Sequence, residues 1–285
     1  MSFKFIQPES FPDVIEALTQ YGDEAKIIAG GTAVVLMLQQ KLIAPEVLVS
    51  LGRVPDMDYI RAESDGLHVG PLALLRDVAL SPVVQHLYPA LAQSCAEVGN
   101  VRIQNQATLG GNVAEADYAS DPPAVLMALN TLVIVSGPSG SRTIPLADFL
   151  LGFYTTVLEP DEVISEIFVP AIPGNNRMTY LKYKSRSSED RPCVGVAAVA
   201  RFEDDICTDL RVAVGAACEI PARLVEFEAL AKGKPLSDEL VNEIAEGYAA
   251  NVDTLDDLRG SPWYRTQMVR VHVQRALKEV RNGRR

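Results

Sequence analysis

The chain has 285 residues, of which 48% are hydrophobic and 22% charged, an ordinary composition for a globular protein of about two domains. Its 37 acidic residues against 26 basic ones give a net charge of −11. That charge argues against nucleic acid or an anionic membrane surface as the main partner. The N-terminal residues predict no secretory signal, and no apolar run reaches the length of a membrane span. We therefore expect a cytoplasmic protein.

Cysteine and histidine patterns nominate no metal site. The four cysteines, at positions 95, 193, 207 and 218, are scattered. They lack the C-x-x-C pairs and clustered spacing of a zinc or iron–sulfur centre. The three histidines, at positions 68, 86 and 272, are isolated and belong to no nucleophile motif. The sequence therefore assigns no metal ligand and no catalytic residue.

The first third of the chain predicts a βαβ unit. Residues 25–29 (AKIIA) indicate a short strand, which Gly30-Gly31 breaks. Thr32 is a good helix N-cap, and apolar residues over 34–38 then follow a helical pattern. A second strand is predicted at 47–51, after Pro45. Strand, helix and strand in this order are typical of a βαβ unit.

The middle of the chain contains a long polar stretch. A strand at 66–69 and helices over 72–98, interrupted by Pro82 and Pro89, precede NVRIQNQATLGGNVAEADYASD at 100–121. That stretch has no helical or strand period over most of its length, and such segments inside a domain are usually functional. A helix over 122–129 follows. Strands are predicted at 132–135, 142–145 and 163–169, with a short helix at 147–150.

The last third predicts a separate α+β domain. After the loop IPGNN, alternation over 178–183 indicates a strand, and residues 194–202 and 207–215 predict a hairpin. Helices are predicted over 222–231, 236–250 (with Ser237 as N-cap) and 262–280. Strands followed by helices favour a segregated α+β unit.

Two glycine pairs indicate where chemistry takes place. Gly30-Gly31 lies at a strand-to-helix turn, and Gly110-Gly111 lies inside the polar stretch. Glycine allows backbone N–H groups to approach an anion closely, and successive N–H groups in such turns form an anion-binding nest. Thr32, Thr108 and Asn112 add side-chain donors, and Asp121 could accept hydrogen bonds from ribose hydroxyls. A pyrophosphate fits this chemistry even on an acidic protein.

The residues alone leave a simpler interpretation open, since a Gly-Gly pair is often only a turn. Neither loop has the G-x-G-x-x-G pattern of a Rossmann site or the G-x-x-x-x-G-K-[ST] pattern of a P-loop.

Five segments of the chain carry a family resemblance. In chain order they are AGGTAVVLMLQ (29–39), NQATLGGNVAEADYASDPPAVLMAL (105–129), YLKYKSR (180–186), VAVGAACEIPARLVEFEALAKGK (212–234) and GSPWYRTQMVRVHVQRAL (260–277). Together they resemble the FAD-binding medium subunit of molybdenum hydroxylases, the family of carbon monoxide dehydrogenase and xanthine dehydrogenase. The similarity extends nearly end to end. The two glycine loops together make it specific.

The resemblance implies an α+β fold with a two-part FAD-binding domain of the vanillyl-alcohol oxidase (PCMH) type over residues 1–175. Its lobes would be about 1–55 and 56–175. A small C-terminal α+β domain of the carbon monoxide dehydrogenase flavoprotein type would follow over 176–285.

The resemblance also implies the cofactor contacts. Residues 29–34 would hold the FAD pyrophosphate, with Thr108, Gly111 and Asn112 opposite. Ser120 and Asp121 would bind the ribose or adenine end, and Ile164 would pack on the isoalloxazine. Lys182 would approach the polar edge of the ring, where a cation stabilises the reduced flavin. The full expected set is Ile28, Ala29, Gly30, Gly31, Thr32, Ala33, Val34, Ala107, Thr108, Gly110, Gly111, Asn112, Glu115, Ser120, Asp121, Ile164 and Lys182.

The function implied by the resemblance is electron transfer. Electrons from a molybdenum cofactor on a large subunit would pass through [2Fe–2S] clusters on a small subunit to this FAD and then to an external acceptor, in a dimer of heterotrimers. We expect the FAD to be noncovalent, because no histidine or cysteine lies in either loop. Gln104 and Glu115 depart from the family pattern. A free-standing flavin oxidase or dehydrogenase and a non-enzymatic nucleotide-binding module remain alternatives.

Overall fold

The computed structural model describes residues 3–185, 187 and 190–283; Arg186, the last residue of the YLKYKSR segment, lies outside them. The first lobe is a parallel sheet in the order β1-β3-β2. Its elements are β1 (Lys4–Ile6), α1 (Phe11–Tyr21), β2 (Ala25–Ile28), α2 (Val34–Gln39) and β3 (Val47–Ser50). β2, α2 and β3 form the βαβ unit that the sequence predicts.

The start of α2 differs from the prediction. Thr32 is not the N-cap; Ala33 occupies that position, and no side chain caps the helix. The first hydrogen bond of the turn runs from the Val35 N–H to the Gly31 carbonyl. The helix end therefore has no side-chain acceptor from the chain itself.

The second lobe is an antiparallel sheet, β4-β5-β10-β6-β7, with most of its helices gathered before β6. Its elements are β4 (Ile60–Ala62), β5 (Gly66–Val69), α3 (Leu75–Leu80), α4 (Pro82–Leu87), α5 (Pro89–Ala96), α6 (Val101–Gln104), α7 (Leu109–Glu115), α8 (Pro122–Ala128), β6 (Leu132–Gly137), β7 (Gly140–Pro145), α9 (Leu146–Phe149), β8 (Leu150–Gly152), β9 (Thr155–Thr156) and β10 (Val163–Pro170). β8 and β9 pair as a small separate hairpin.

The polar stretch folds into two short capped helices rather than an irregular loop. The Asn100 side chain accepts hydrogen bonds from the N–H groups of Arg102 and Ile103 at the start of α6. The Thr108 hydroxyl accepts one from the Gly111 N–H at the start of α7. Such caps satisfy the otherwise unpaired N–H groups of a helix end. Side-chain hydrogen bonds therefore begin both helices, and α7 also buries Leu109 and Val113 in the core.

The C-terminal part is an antiparallel sheet, β11-β12-β13-β14, covered by helices. Its elements are β11 (Asn176–Tyr183), β12 (Val194–Glu203), β13 (Ile206–Gly215), α10 (Val225–Glu228), β14 (Lys234–Pro235), α11 (Asp238–Asn251) and α12 (Pro262–Asn282). The helix predicted over 222–231 is shorter: only α10 and a 3-10 turn form there. Ser237 caps α11 as predicted.

The C-terminal sheet is buried on both faces. Val196 and Ala198 of β12 pack with α11 and α12, whereas Ala197 and Val199 of the same strand join the core of the second lobe. This split follows from the two-residue period of a strand. Among the described helices, none is both long and apolar enough to cross a membrane.

Candidate cofactor site

The two glycine loops contact each other through their backbones. We call residues 28–34 the first loop and residues 107–112 the second loop. A Cβ atom added at Gly30 would lie 1.7 Å from the carbonyl oxygen of Gln106, directly before the second loop. A Cβ at Gly111 would lie 3.9 Å from the Cβ of Ala29. Glycine at position 30 therefore permits a backbone approach that no other residue allows.

The first loop carries backbone donors that nothing in the described chain uses. Gly31 has a φ of +72°, a left-handed conformation that favours glycine. Across the described residues, the N–H groups of 29–34 make no hydrogen bond. Unpaired donors at a strand-to-helix turn are the kind of N–H groups that bind anions.

In the second loop, by contrast, the N–H groups of residues 109–112 are already used. Those of Leu109 and Gly110 donate to the carbonyl oxygens of Ala73 and Pro71. The Gly111 N–H donates to the Thr108 hydroxyl at 3.0 Å, and the Asn112 N–H donates to the Thr108 carbonyl. The second loop is thus fixed to residues 71–73 and by its own cap, and the first loop supplies the unpaired N–H groups.

The charge around both loops suits an anionic group. None of the 37 acidic residues lies within residues 25–45 or 98–114, the segments that contain the loops. The same segments carry three cations, Lys26, Lys41 and Arg102. On a chain of net charge −11, these two segments therefore contribute only positive charge, although Glu115 directly follows the second one. The residues present therefore fit the diphosphate of FAD.

Asn112 and Ser120 are joined to each other. The Asn112 amide nitrogen donates to the Ser120 hydroxyl at 2.8 Å, and that hydroxyl lies 3.1 Å from the Asn112 carbonyl oxygen. This pair connects α7 to the segment before α8. The sequence resemblance assigns Asn112 to the pyrophosphate and Ser120 to the ribose or adenine end, and the structure brings the two side chains together.

Asp121 and Lys182 form a buried ion pair between the second lobe and the C-terminal sheet. The Lys182 Nζ lies 2.8 Å from an Asp121 carboxylate oxygen. The side chain of Lys182 is 1% exposed, and that of Asp121 is 3% exposed. Lys182 also donates to the Glu97 carbonyl, and the Tyr180 hydroxyl donates to Asp121 at 2.6 Å. Burial raises the pKa of Asp121 to about 6, against the opposing pull of Lys182 and Tyr180.

The remaining predicted residues lie around these features. Ala107 is the buried first residue of the second loop, and Ile164 is a buried residue of β10 at a register shift. Glu115 ends α7 and is half-buried. Burial raises the pKa of Glu115, Lys26 and Arg191 lower it, and Asp117 raises it. Whether each of these residues contacts a cofactor stays a prediction.

Sequence reasoning did not select Tyr180, Glu97 and Gln106. Tyr180 stands two residues before Lys182 on β11, so the strand period places both side chains on one face. The two-residue spacing of Tyr180 and Lys182 on a predicted strand could therefore have identified Tyr180 from the sequence. The roles of Glu97 and Gln106 come from their backbone carbonyls, which residue type does not reveal.

Comparison with known proteins agrees with this architecture. The family described as "FAD binding domain in molybdopterin dehydrogenase" matches residues 1–172, and "CO dehydrogenase flavoprotein C-terminal domain" matches residues 179–280. The glyceraldehyde dehydrogenase medium chain of Sulfolobus acidocaldarius is 31% identical, covering 98% of both chains. The nicotine 6-hydroxylase medium subunit of Paenarthrobacter nicotinovorans is 31% identical over 98% of this chain and 97% of its own.

The structural similarity is equally broad. A chain of carbon monoxide dehydrogenase from Hydrogenophaga pseudoflava superposes with a TM-score of 0.95 at 32% identity, covering 98% of this chain and 97% of that one. The fold and the paired loops define a flavoprotein subunit with an FAD-binding domain followed by a C-terminal α+β domain. The chain belongs to the FAD-binding medium subunits of molybdenum hydroxylase-type dehydrogenases, a family of oxidoreductase subunits.

Proposed function

We propose that this chain binds FAD noncovalently at the two loops and transfers electrons within a molybdenum-containing hydroxylase or dehydrogenase. Its partners would be a large subunit with the molybdenum cofactor and a small subunit with [2Fe–2S] clusters, in a dimer of heterotrimers. The observation that carries the proposal is the close backbone contact between the loops, where the N–H groups of residues 29–34 have no acceptor among the described residues. The names of similar proteins, which are medium subunits of dehydrogenases and a hydroxylase, support it.

In this proposal each part of the site has a binding role. The N–H groups of the first loop donate to the diphosphate, and the Thr108 hydroxyl and the Asn112 side chain add polar contacts from the second loop. Held by these residues, FAD would supply the redox centre between the iron–sulfur clusters of the small subunit and an external acceptor. Lys182 and Asp121 hold the C-terminal sheet against the second lobe beside this site. We propose residues 1–175 and 176–285 as the two domains.

The binding half of the proposal is tested on the purified chain. We expect a flavin absorption spectrum and one FAD per chain, and acid precipitation should leave a colourless pellet because the flavin is noncovalent. Gly111→Val places a branched side chain whose Cβ would lie 2.8 Å from the Thr108 hydroxyl oxygen and 3.9 Å from the Cβ of Ala29. It should remove the flavin while the far-ultraviolet circular dichroism stays unchanged. Gly174→Val, at a glycine with no neighbouring atom within 4 Å, is the control.

The electron-transfer half is tested by anaerobic mixing. The flavoprotein alone should not be bleached by aromatic heterocycles, aldehydes or carbon monoxide. Bleaching should appear with one of these substrates only after the molybdenum and iron–sulfur subunits are added. Rapid bleaching of the metal-free chain by an organic substrate would contradict the subunit role and favour a free-standing oxidase.

A further inference from the structure

His68 of β5 lies between two carboxylates from different parts of the second lobe. Its Nε2 atom lies 3.1 Å from a carboxylate oxygen of Asp65, in the turn between β4 and β5. Its Nδ1 atom lies 3.0 Å from a carboxylate oxygen of Glu166, on β10. The Glu166 carboxylate also accepts a hydrogen bond of 2.7 Å from the Tyr59 hydroxyl. We call these four residues the His68 cluster; none of them is among the residues expected to bind the cofactor.

The geometry of the His68 cluster is that of a protonated histidine. A neutral imidazole carries one N–H group and can donate to only one of the two carboxylates, whereas the imidazolium form donates to both. In the neutral form, one ring nitrogen would face a carboxylate oxygen at 3.0 or 3.1 Å with no hydrogen between the two atoms. The proton on His68 therefore decides whether both contacts exist together.

The charged groups on β4 and its turn favour that proton. A carboxylate oxygen of Glu63 lies within 4.8 Å of a His68 ring nitrogen and of an Asp65 carboxylate oxygen. Arg61 pairs with His68 in the β4–β5 register, but its guanidinium group lies over the Tyr59 ring, 4.2 Å from the centroid. The negative charges of the turn thus face the imidazole, and the nearby cation is directed at an aromatic ring.

The other neighbours of His68 are uncharged or acidic. The Phe168 ring of β10 lies 4.7 Å from the His68 ring, centroid to centroid. Tyr88, before α5, has a pKa raised by burial and then by the charge of Asp65, so its hydroxyl stays protonated. Burial lowers the pKa of His68, but the hydrogen bonds and charges of Glu166 and Asp65 outweigh burial and raise this pKa overall.

Glu166 reaches His68 because β10 contains an extra residue. Ile164 and Glu166 pair with adjacent residues of β6, so Ser165 is additional in the register. In an unbroken strand, residues 164 and 166 would share a face. The extra residue directs Ile164 into the core, where it is 3% exposed, and Glu166 to the face of His68. We call residues 164–166 the shifted segment.

We infer that His68 is a pH-sensitive link: its protonated form holds the shifted segment of β10 to the turn between β4 and β5, and loss of the proton releases that segment. The Ala171 N–H donates to the Asp65 carbonyl, so the turn stays fixed to the far end of β10. The proton therefore controls the shifted segment rather than the whole strand. Ile164 is expected to pack on the isoalloxazine, so release should also weaken FAD binding; this consequence rests on the proposed function.

Histidine NMR tests the protonation. The chain has three histidines, so His68→Gln assigns the His68 signals by their absence. We expect a titration midpoint above about 6.5, the value of an unpaired histidine, and a midpoint at or below that value would overturn the inference. Asp65→Asn and Glu166→Gln should each lower the midpoint. Glu162→Gln, whose carboxylate pairs with Arg142 instead, should leave it unchanged.

The dependence of stability on pH tests the link. Because the pKa of His68 is raised in the folded chain, its contribution is fully present below about 6.5, the unfolded value, and is lost as the pH rises through the folded value. His68→Gln should therefore lower the urea midpoint of the flavin-free chain more at pH 5.5 than at pH 9. An equal loss at both pH values would indicate a merely structural ring and would overturn the inference. His86→Gln, at an exposed histidine of α4, is the matched control.

Hydrogen exchange followed by mass spectrometry locates the effect. At pH 5.5, a peptide that covers β10 should exchange faster in His68→Gln than in the unmodified chain. At pH 9 the two chains should exchange at equal rates, because neither carries the proton. Equal protection at pH 5.5 would show that the proton does not hold the shifted segment and would overturn the inference.

FAD titration separates the link from the proposed function. His68→Gln should raise the dissociation constant for FAD at least about fivefold at pH 5.5, as for typical coupling between two sites, and should leave it unchanged at pH 9. If the unmodified chain binds no FAD but passes the other three tests, the proposed function fails and the link stands. If FAD binds with an affinity that ignores His68→Gln at pH 5.5, the consequence for the cofactor is overturned.

Discussion

Asp121 is a carboxyl group that the fold withdraws from water and then supplies with two donors, Lys182 and Tyr180. Burial disfavours the charged form, and the ammonium group of Lys182 favours it. A buried pair of this kind adds little net stability, but removing one partner leaves an uncompensated charge and is costly. The pair joins residues 61 positions apart in the chain, so it reports on the correct packing of the second lobe against the C-terminal sheet.

We predict that Lys182→Met destabilises the chain by about 3–5 kcal/mol at pH 8 and by clearly less at pH 5. The pKa of Asp121, already raised to about 6 in the folded protein, lies above the usual value for an unfolded Asp, about 3.9. The folded state therefore binds more protons between these values, and stability falls as pH rises through this window. Without the ammonium group the pKa rises further, and the penalty extends to neutral pH.

Urea denaturation of the flavin-free proteins at both pH values measures this effect. Lys184→Met is the matched control, because the Lys184–Glu97 pair is partly exposed and such pairs contribute less than about 1 kcal/mol. Equal losses of stability at pH 5 and pH 8 in Lys182→Met would contradict the role assigned to the buried carboxylate.

A second residue-scale prediction concerns Gly30. In Gly30→Ala the new methyl group would lie 1.7 Å from the Gln106 carbonyl oxygen, so the two loops must separate. We expect the dissociation constant for FAD to rise at least about tenfold, with a loss of stability of about 1–3 kcal/mol from overpacking. Gly174→Ala, where the methyl group meets open space, should leave both quantities unchanged. Fluorescence titration with FAD measures the affinity, and an unaltered value in Gly30→Ala would refute the contact.

At the scale of elements, two helix caps distinguish an effect on the stability of the chain from an effect on FAD binding. The Thr108 hydroxyl caps α7 inside the second loop, and the Ser237 hydroxyl caps α11 far from it in sequence. We predict that Thr108→Val and Ser237→Ala each lower the free energy of unfolding by about 1 kcal/mol. Only Thr108→Val should also weaken FAD binding. Denaturation and titration of both variants check this, and equal FAD affinities would remove Thr108 from the site.

The sequence predicts those elements in which the period of the apolar residues agrees with the residues that begin or end an element, such as proline, glycine and N-caps. The βαβ unit, the proline-started helices α4 and α5, and α11 with its Ser237 cap follow from local pattern alone. The strand and helix of residues 4–21 were not predicted, although Ser10 caps that helix. Residues 100–121 lack a long apolar period because their helices, α6 and α7, span only four and seven residues, and a side-chain cap begins each one; α7 still buries Leu109 and Val113 in the core.

The location of the candidate site can be predicted from the sequence, but the long-range contacts between its residues cannot. The glycine pairs mark both loops, because close backbone approach requires glycine and therefore leaves a signal in the sequence. The contact of Gly30 with Gln106 and the pairing of Asp121 with Lys182 depend on long-range packing. Nothing in a local pattern encodes which carbonyl or carboxylate a distant strand will reach.

At the scale of the whole molecule, the two proposed domains share a core. Tyr180, Ala197, Val199 and Ala213 of the C-terminal sheet belong to the same buried cluster as the helices of the second lobe. A Cβ added at Gly215 would lie 2.9 Å from the Cβ of Ala124 in α8. The proposed boundary near residue 175 therefore separates two sequence units but cuts through one packed interior.

This shared core predicts a single cooperative unfolding transition for the full chain. Separating the units would expose the apolar inner face of the C-terminal sheet to water and would break the buried Asp121–Lys182 pair, and both changes are costly. Calorimetry should show one heat-absorption peak, with flavin fluorescence rising at the same temperature. A fragment of residues 1–175, which leaves α8 without β12 and β13, should lack the near-ultraviolet circular dichroism of a packed core. Two resolved calorimetric peaks, or a fragment that is natively packed and binds FAD, would show instead that the first unit folds by itself and that the C-terminal sheet is an independent addition.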